Sequence, residues 1–254
     1  MKIPIIGLGH VGTVFAACLA YSGFDVIGVD VDKSKVDVIN KGKSPFYEPG
    51  LDDILSEAVA KGKLVAITDG IEAVKETDIS VIFVGTPSLP DGSANLKYVK
   101  AAAEVIGKGL RHKNKYHVVV VRSTVPPGTT EGLIKEIIEN VSGKKAGRDF
   151  GLCMNPEFTR EGNAVEDTFN PSRIVIGEFD KRSGDVLENL YREFHKDKMP
   201  PLIRTTLVNA ELIKYASNAF LAMKISFINL IARLCEKLPG ADVEVVARGM
   251  GLDP

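Results

Sequence analysis

The chain has 254 residues, 44% hydrophobic and 26% charged, enough apolar content for one large or two modest globular domains. Lys and Arg total 32 against 33 Asp and Glu, and a net charge of −1 gives no electrostatic case for nucleic acid or an anionic membrane as partner. Three widely spaced cysteines (Cys18, Cys153, Cys235) match no disulfide framework and no metal-ligand spacing, so a reducing cytoplasm and no metal are expected.

The N-terminus lacks the charged, apolar and small-residue order of a signal peptide. No uninterrupted run of 18 or more uncharged apolar residues occurs, so no membrane span is expected. The first predicted strand, Ile3–Ile6, runs straight into Gly7-Leu8-Gly9-His10-Val11-Gly12, and a helical pattern follows over Val11–Tyr21. The next strand, Asp25–Val29, ends at Asp30, eighteen residues past Gly12. Strand, glycine turn, helix, strand and acid form the dinucleotide-binding fingerprint. Gly7 permits the tight turn, Gly9 lets backbone approach the pyrophosphate, and Gly12 lets the helix pack closely on the sheet. The helix N-terminus offers free N–H groups to phosphate. Asp30 can accept bonds from both ribose hydroxyls and would repel a 2′-phosphate, which favours NAD over NADP. Pro4 conflicts with a central strand, because its missing N–H costs a ladder bond. Either pairing starts at Ile5, or the Pro4 nitrogen faces no partner.

Further strands are predicted at Leu64–Ile67, Ile79–Val84, His117–Arg122, Phe150–Cys153, Arg173–Ile176 and Leu202–Arg204. Runs such as Val118-Val119-Val120-Val121 suit strands buried on both faces of a parallel sheet. Helical patterns fall between them at Lys33–Lys41, Leu51–Lys61, Val99–Gly109, Thr130–Asn140 and Gly184–His195. The alternation predicts a doubly wound, Rossmann-like α/β domain over residues 1–201. Its ligands bind at the carboxyl ends of the strands. Gly85-Thr86-Pro87, Ser123-Thr124-Val125-Pro126-Pro127-Gly128 and Asn155-Pro156-Glu157-Phe158 each follow a strand and should crowd that rim. The basic stretch Arg111–Lys115 reads as a solvated loop.

Past Pro200-Pro201, residues 202–254 change character. One long helix is predicted from about Thr206 to Leu238, apolar nearly all round, then a short helix over Val243–Met250 capped by Asp242. A helix apolar on all sides must be buried on all sides, and a second protomer is the simplest cover.

Lys214 and Asn218 lie four apart on the long helix and share a face. A lysine in apolar surroundings either serves a function or snorkels to solvent. Glu157 and Glu161 flank Phe158-Thr159-Arg160 past a strand end, where carboxylates bind a cofactor amide, act as a base or cap a turn. Thr86, Ser123 and Thr124 can bind a ligand or cap a helix. The cysteines lack basic neighbours and read as structural.

These residues taken together resemble the nucleotide-sugar 6-dehydrogenases, a family that includes UDP-glucose and GDP-mannose 6-dehydrogenases. The resemblance rests on Gly7–Gly12, Gly28–Asp32 with Lys35, Pro45–Leu51, Gly85–Pro87, Ser123–Gly128, Asn155–Phe158, Ala210–Asn218 and Val246–Gly249. It implies oxidation of a sugar C6 alcohol to a carboxylate in two hydride transfers to NAD. It also implies NAD contacts at His10, Val11, Asp30, Lys35, Thr86 and Thr124. Glu161 matches the junction of cofactor and sugar, and Phe158, Thr159 and Arg160 match a backbone strip along the substrate. Lys214 matches the lysine that stabilises developing alkoxide charge, with Asn218 a neutral donor beside it. Glu157 matches the base that hydrolyses the covalent intermediate, and Thr124 would order water there.

The family's nucleophile is a cysteine in a Gly-Gly-Ser-Cys-Phe-Pro-Lys-Asp-like motif. No cysteine of this sequence has that context, which reads as a truncated chain or one half of a split enzyme. The expectation is therefore NAD binding without turnover by these residues alone. UDP-glucose is the expected substrate and GDP-mannose the alternative. Two further readings compete: a β-hydroxyacid or hydroxyacyl-CoA dehydrogenase, and a non-catalytic NAD-binding subunit.

Overall fold

A computed structural model of the chain describes residues 1–253. They fall into two compact units, Met1–Leu212 and the residues from Ile213 onward, further along than the 201/202 boundary read from the sequence.

The first unit is built on one eight-stranded sheet in the order β3-β2-β1-β4-β5-β6-β7-β8. The strands are β1 Lys2–Ile6, β2 Asp25–Val29, β3 Leu64–Ile67, β4 Ile79–Ile82, β5 His117–Val121, β6 Phe150–Met154, β7 Ile174–Glu178 and β8 Leu202–Thr206. β1 through β6 are parallel, as the β-branched runs predict. Every residue of β4 and β5 is buried, the condition that removes polar alternation from a strand. The order reverses between β1 and β4, and that switch point places the Gly7–Gly12 turn beside the end of β4.

Helices α1 (His10–Tyr21), α2 (Lys33–Asn40), α3 (Leu51–Ala60), α4 (Gly70–Lys75), α5 (Lys97–Arg111), α6 (Lys135–Ser142), α7 (Ala164–Phe169) and α8 (Lys181–His195) connect the strands. α1 packs against α3 and α7, while α5 packs against α4 and α6. The core joins Ile3, Ile5, Val26, Val81, Val118 and Val120 of the sheet to Val14, Phe15 and Leu19 of α1. A π-helical turn, Thr130–Ile134, leads into α6.

Four expectations need correction. First, the sheet is not wholly parallel. β7 runs antiparallel to β6, through Cys153↔Glu178 and Met154↔Gly177. The 155–173 segment holds only the six-residue α7 and enters β7 from beyond the end of β6, so β7 runs back toward it. Second, α4 and α7 were missed, because six residues are too few to show a helical period. The cap of α4 was legible: Asp69 accepts the Ile71 and Glu72 N–H groups at 3.0 and 3.1 Å. Third, the Arg111–Lys115 stretch is not all solvated. Lys113 is buried, its ammonium donating to the Val74 carbonyl at 3.0 Å. Fourth, predicted ends shift: β4 stops at Ile82, β7 and β8 run on to Glu178 and Thr206, and α5 spans Lys97–Arg111.

Pro4 is accommodated by the second of the two routes, its nitrogen facing no partner. The Ile6 carbonyl accepts the Phe83 N–H at 2.7 Å, so Ile6 faces β4. Pro4, two residues earlier, faces the same way, and pairing with β4 begins only at Ile5. On the other edge the ladder with β2 runs unbroken from Lys2 to Ile6.

The long helix α9 spans Leu207–Cys235, and α10 spans Val243–Met250. Asp242 caps α10 as expected, accepting the Glu244 N–H at 2.7 Å. Charged residues interrupt α9, yet its 29 residues and mean hydropathy of 1.3 over its most apolar window reach what a membrane-crossing helix needs by length and composition. The helix still holds no uninterrupted run of 18 uncharged residues, since Lys214, Lys224 and Arg233 divide it. The first turn of α9 is nonetheless committed to protein, because Glu211 is wholly buried in the first unit. In the second unit Phe220, Leu221, Met223 and Ile225 are 53–58% exposed.

Candidate dinucleotide site at the carboxyl rim

The glycine turn has the geometry its sequence predicts. Gly7 has φ +102°, and a Cβ there would sit 2.5 Å from the Phe83 carbonyl oxygen, so both its torsion and its contact require glycine. At Gly12 a Cβ would meet the Gly7 carbonyl oxygen at 2.0 Å. At Gly9, by contrast, it would meet nothing within 4 Å. The turn is thus packed at both ends and open in the middle. Gly9 begins α1 without a side-chain cap, and the first turn carries no acidic residue. The N–H groups of His10, Val11 and Gly12 therefore present an uncompensated positive helix end, the setting in which phosphate binds.

Asp30, at the end of β2, is fixed before any ligand arrives. Its Oδ2 accepts the Leu8 N–H at 2.9 Å and the Lys35 ammonium at 3.0 Å, and its Oδ1 accepts the Asp32 N–H at 3.0 Å. The carboxylate therefore holds the glycine turn as well as marking the ribose end of the groove. The loops after β4, β5 and β6 meet at the same rim. Thr86 donates its hydroxyl to the Thr124 carbonyl at 2.7 Å, and Ser123 donates to the Val84 carbonyl at 2.7 Å. The Asn155 N–H reaches the Val121 carbonyl at 2.8 Å.

The 157–161 strip adjoins them, partly engaged in its own turn. Glu157 accepts the N–H and hydroxyl of Thr159 at 2.8 and 2.6 Å. Phe158 lies under the Arg173 guanidinium at 3.8 Å. Arg160 forks onto Asp167 at 2.6 and 2.9 Å, and Glu161 is exposed. Lys214 and Asn218 belong to the second unit, one helical turn apart on α9.

Four residues emerge that spacing did not single out for these roles. Arg122 is buried between the rings of Phe15 and Phe83, at 4.4 and 5.1 Å, and donates to Asn155 and Tyr191. Asn155 also donates to the Val175 carbonyl at 2.7 Å, which ties β7 to the end of β6. Glu48, inside the Pro45–Leu51 motif, is buried and accepts the Gly162 and Ala164 N–H groups at 3.0 and 2.8 Å. Glu211 accepts the Gly128 and Thr130 N–H groups at 2.5 and 2.7 Å, which caps the turn leading into α6. An acidic residue in an apolar helix was the visible sign; its partners, some eighty residues earlier, were not. Glu211→Ala should strip both amides of their acceptor and lower the denaturant midpoint by ~1–3 kcal/mol equivalent, with Glu211→Gln recovering part of it.

Cys18 and Cys153 are buried and behave as structural groups. Burial pushes the Cys153 thiol up to about 12 and raises that of Cys18 as well, so neither is a thiolate near neutrality.

The fold and this rim define a dinucleotide-binding domain of the dehydrogenase type. Residues 1–195 match the UDP-glucose/GDP-mannose dehydrogenase family, NAD binding domain, and residues 208–254 match the central domain of the same family. The chain belongs to that family. It is 49% identical, over 95% of its length, to a GDP-mannose 6-dehydrogenase of Pseudomonas syringae, of which it covers 54%. It is 46% identical over 99% of its length to a UDP-glucose 6-dehydrogenase of Bacillus subtilis, covering 52% of that protein. Among solved structures, the GDP-mannose dehydrogenase of Pseudomonas aeruginosa superimposes with a TM-score of 0.95 at 46% identity, over all of this chain and 57% of that one. The UDP-glucose dehydrogenase of Pyrobaculum islandicum gives 0.92 at 45% identity, over 99% and 56%. The chain thus spans about half the length of the relatives it matches.

Proposed function

We propose that these residues form the NAD-binding and alkoxide-stabilising part of an enzyme that oxidises C6 of a nucleoside-diphosphate hexose. The observation that carries the reading is the open position at Gly9 between two closed ones, facing the free amides of α1 and backed by Asp30. A pyrophosphate fits that cradle and a ribose diol fits Asp30. Bound there, NAD would supply the hydride acceptor. Gly7, Gly9, His10, Val11 and Gly12 would hold its phosphates, with Asp30 and Lys35 at the ribose and Thr86, Thr124 and Glu161 toward the nicotinamide end.

Phe158, Thr159 and Arg160 would line the sugar. Lys214 would place a positive charge beside the C6 oxygen as it loses its proton, a stabilisation larger in a dry site than in water. Asn218 would add a neutral donor. Glu157 would take a proton from water during release of the carboxylate, with Thr124 orienting that water. GDP-mannose is the leading substrate, supported by the 49% relative and by the Ser142–Gly147 run. UDP-glucose is the second reading, supported by the 46% relative and the Asn218–Ala222 run.

The missing cysteine motif leads to a direct expectation. Mixed with NAD and either sugar nucleotide, residues 1–254 alone should bind the cofactor and show no sustained rise of NADH absorbance. Continuous NADH formation would contradict the assignment of the nucleophile to residues outside 1–254. The apolar surface of α9 is proposed to pair with a second protomer. Light scattering at micromolar concentration should then give a dimer, and a monomer would refute the pairing.

A further inference from the structure

Glu48 joins three segments that the sequence keeps far apart. Its carboxylate has no solvent exposure. One oxygen accepts the Ala164 N–H at 2.8 Å; the other accepts the Gly162 N–H at 3.0 Å and lies 2.8 Å from Nε2 of His10. His10 is the first residue of α1, immediately after the open glycine. Gly162 and Ala164 follow directly on the 157–161 strip. The His10 ring also packs on Phe46, from the same loop as Glu48, at 4.6 Å between centroids. That loop is held internally, Ser44 donating its hydroxyl to the Phe46 carbonyl at 2.6 Å and its N–H to Asp52 at 2.7 Å.

We propose that Glu48 is a positioning residue that couples occupancy of the glycine turn to order in the 157–164 strip, an inference that rests on reading Gly7–Gly12 as the NAD seat. A buried carboxylate is costly unless hydrogen-bond donors stay in place around it. Displacing His10 leaves Glu48 short of a donor, and it must then draw on the two amides at the start of α7. Fixing His10 by a ligand at the neighbouring amides stabilises all three bonds together. The coupling is reciprocal, so an ordered 157–164 strip raises affinity at the glycine turn by the same factor.

The test is amide hydrogen exchange at Gly162 and Ala164, with and without NAD, in the protein, in His10→Phe and in Glu48→Gln. NAD affinity is measured separately in each by titration. In the unsubstituted protein NAD should slow both amides about tenfold. In His10→Phe, which keeps the α7 cap, NAD should leave them unchanged. In Glu48→Gln both should exchange faster without NAD and gain nothing from it. Equal slowing in the protein and in His10→Phe would overturn the coupling, as would no slowing where titration shows NAD bound. Should His10→Phe lose NAD altogether, Glu48→Gln, which keeps the ring, decides the matter. No binding by the unsubstituted protein would instead overturn the NAD seat itself, and the coupling with it.

Discussion

Gly12→Ala should destroy the site by unfolding it, whereas Gly9→Ala should destroy it and leave the fold intact. At position 12 the new methyl would fall 2.0 Å from the Gly7 carbonyl oxygen and 3.0 Å from Phe83 Cβ, with backbone on one side and packed core on the other. Neither can yield cheaply, so α1 must lift from the sheet; a forced overpacking of this kind costs ~3 kcal/mol or more. At position 9 the methyl meets nothing within 4 Å, and the torsion there is extended. Its only consequence is to fill the space that backbone leaves for a pyrophosphate. The melting temperature of Gly9→Ala should match that of the unsubstituted protein, with no rise on adding NAD. Gly12→Ala should melt lower even without ligand. Identical behaviour of the two variants would contradict the division of labour in the glycine turn.

Acid should unfold the protein through His117. The ring is wholly buried at the start of β5, with Nε2 2.8 Å from the Ser80 hydroxyl and Nδ1 3.1 Å from the Thr77 carbonyl. A neutral imidazole satisfies both contacts. The Lys113 ammonium, 3.1 Å from Nδ1, opposes a second proton. Burial first, then Lys113, hold His117 down to about 3. The unfolded chain titrates near 6.5, so between those values the unfolded state binds more protons and stability falls as pH falls. The stabilisation is complete above about pH 6.5 and is lost progressively toward pH 3, a few kcal/mol in all. His117→Gln should lower stability at neutral pH and flatten the slope over that window. Denaturant melts at several pH values check it; an unchanged slope would show that other groups carry the acid sensitivity.

The parts of the fold legible in the sequence were those with strong local causes. Strands buried on both faces announced themselves as β-branched runs, and the glycine turn could be read because each glycine has a separate steric reason. Asp30 was legible by distance along the chain. Other features were set by partners far away. Glu48 bonds to an amide 116 residues later and Glu211 to one 81 residues earlier, and nothing in their neighbours says so. Lys113 looked like one of a solvated basic cluster because its burial depends on α4 and β5. The reversal of β7 depends on where the 155–173 segment lies, which no periodicity records. Resemblance supplied what physics alone left open: spacing favoured a lysine reaching solvent at position 214, whereas Lys214 is buried.

The most direct test of the central claim is the melting temperature of this protein without ligand, with NAD and with NADP. A ligand present at a hundredfold its dissociation constant adds ~2.7 kcal/mol, worth roughly 5–10 °C for a chain of this size. A rise of that order with NAD and little with NADP would establish the glycine turn and Asp30 as a working, 2′-phosphate-excluding site. An equal rise with both would contradict the role given to Asp30, and no rise with either would contradict the dinucleotide site itself.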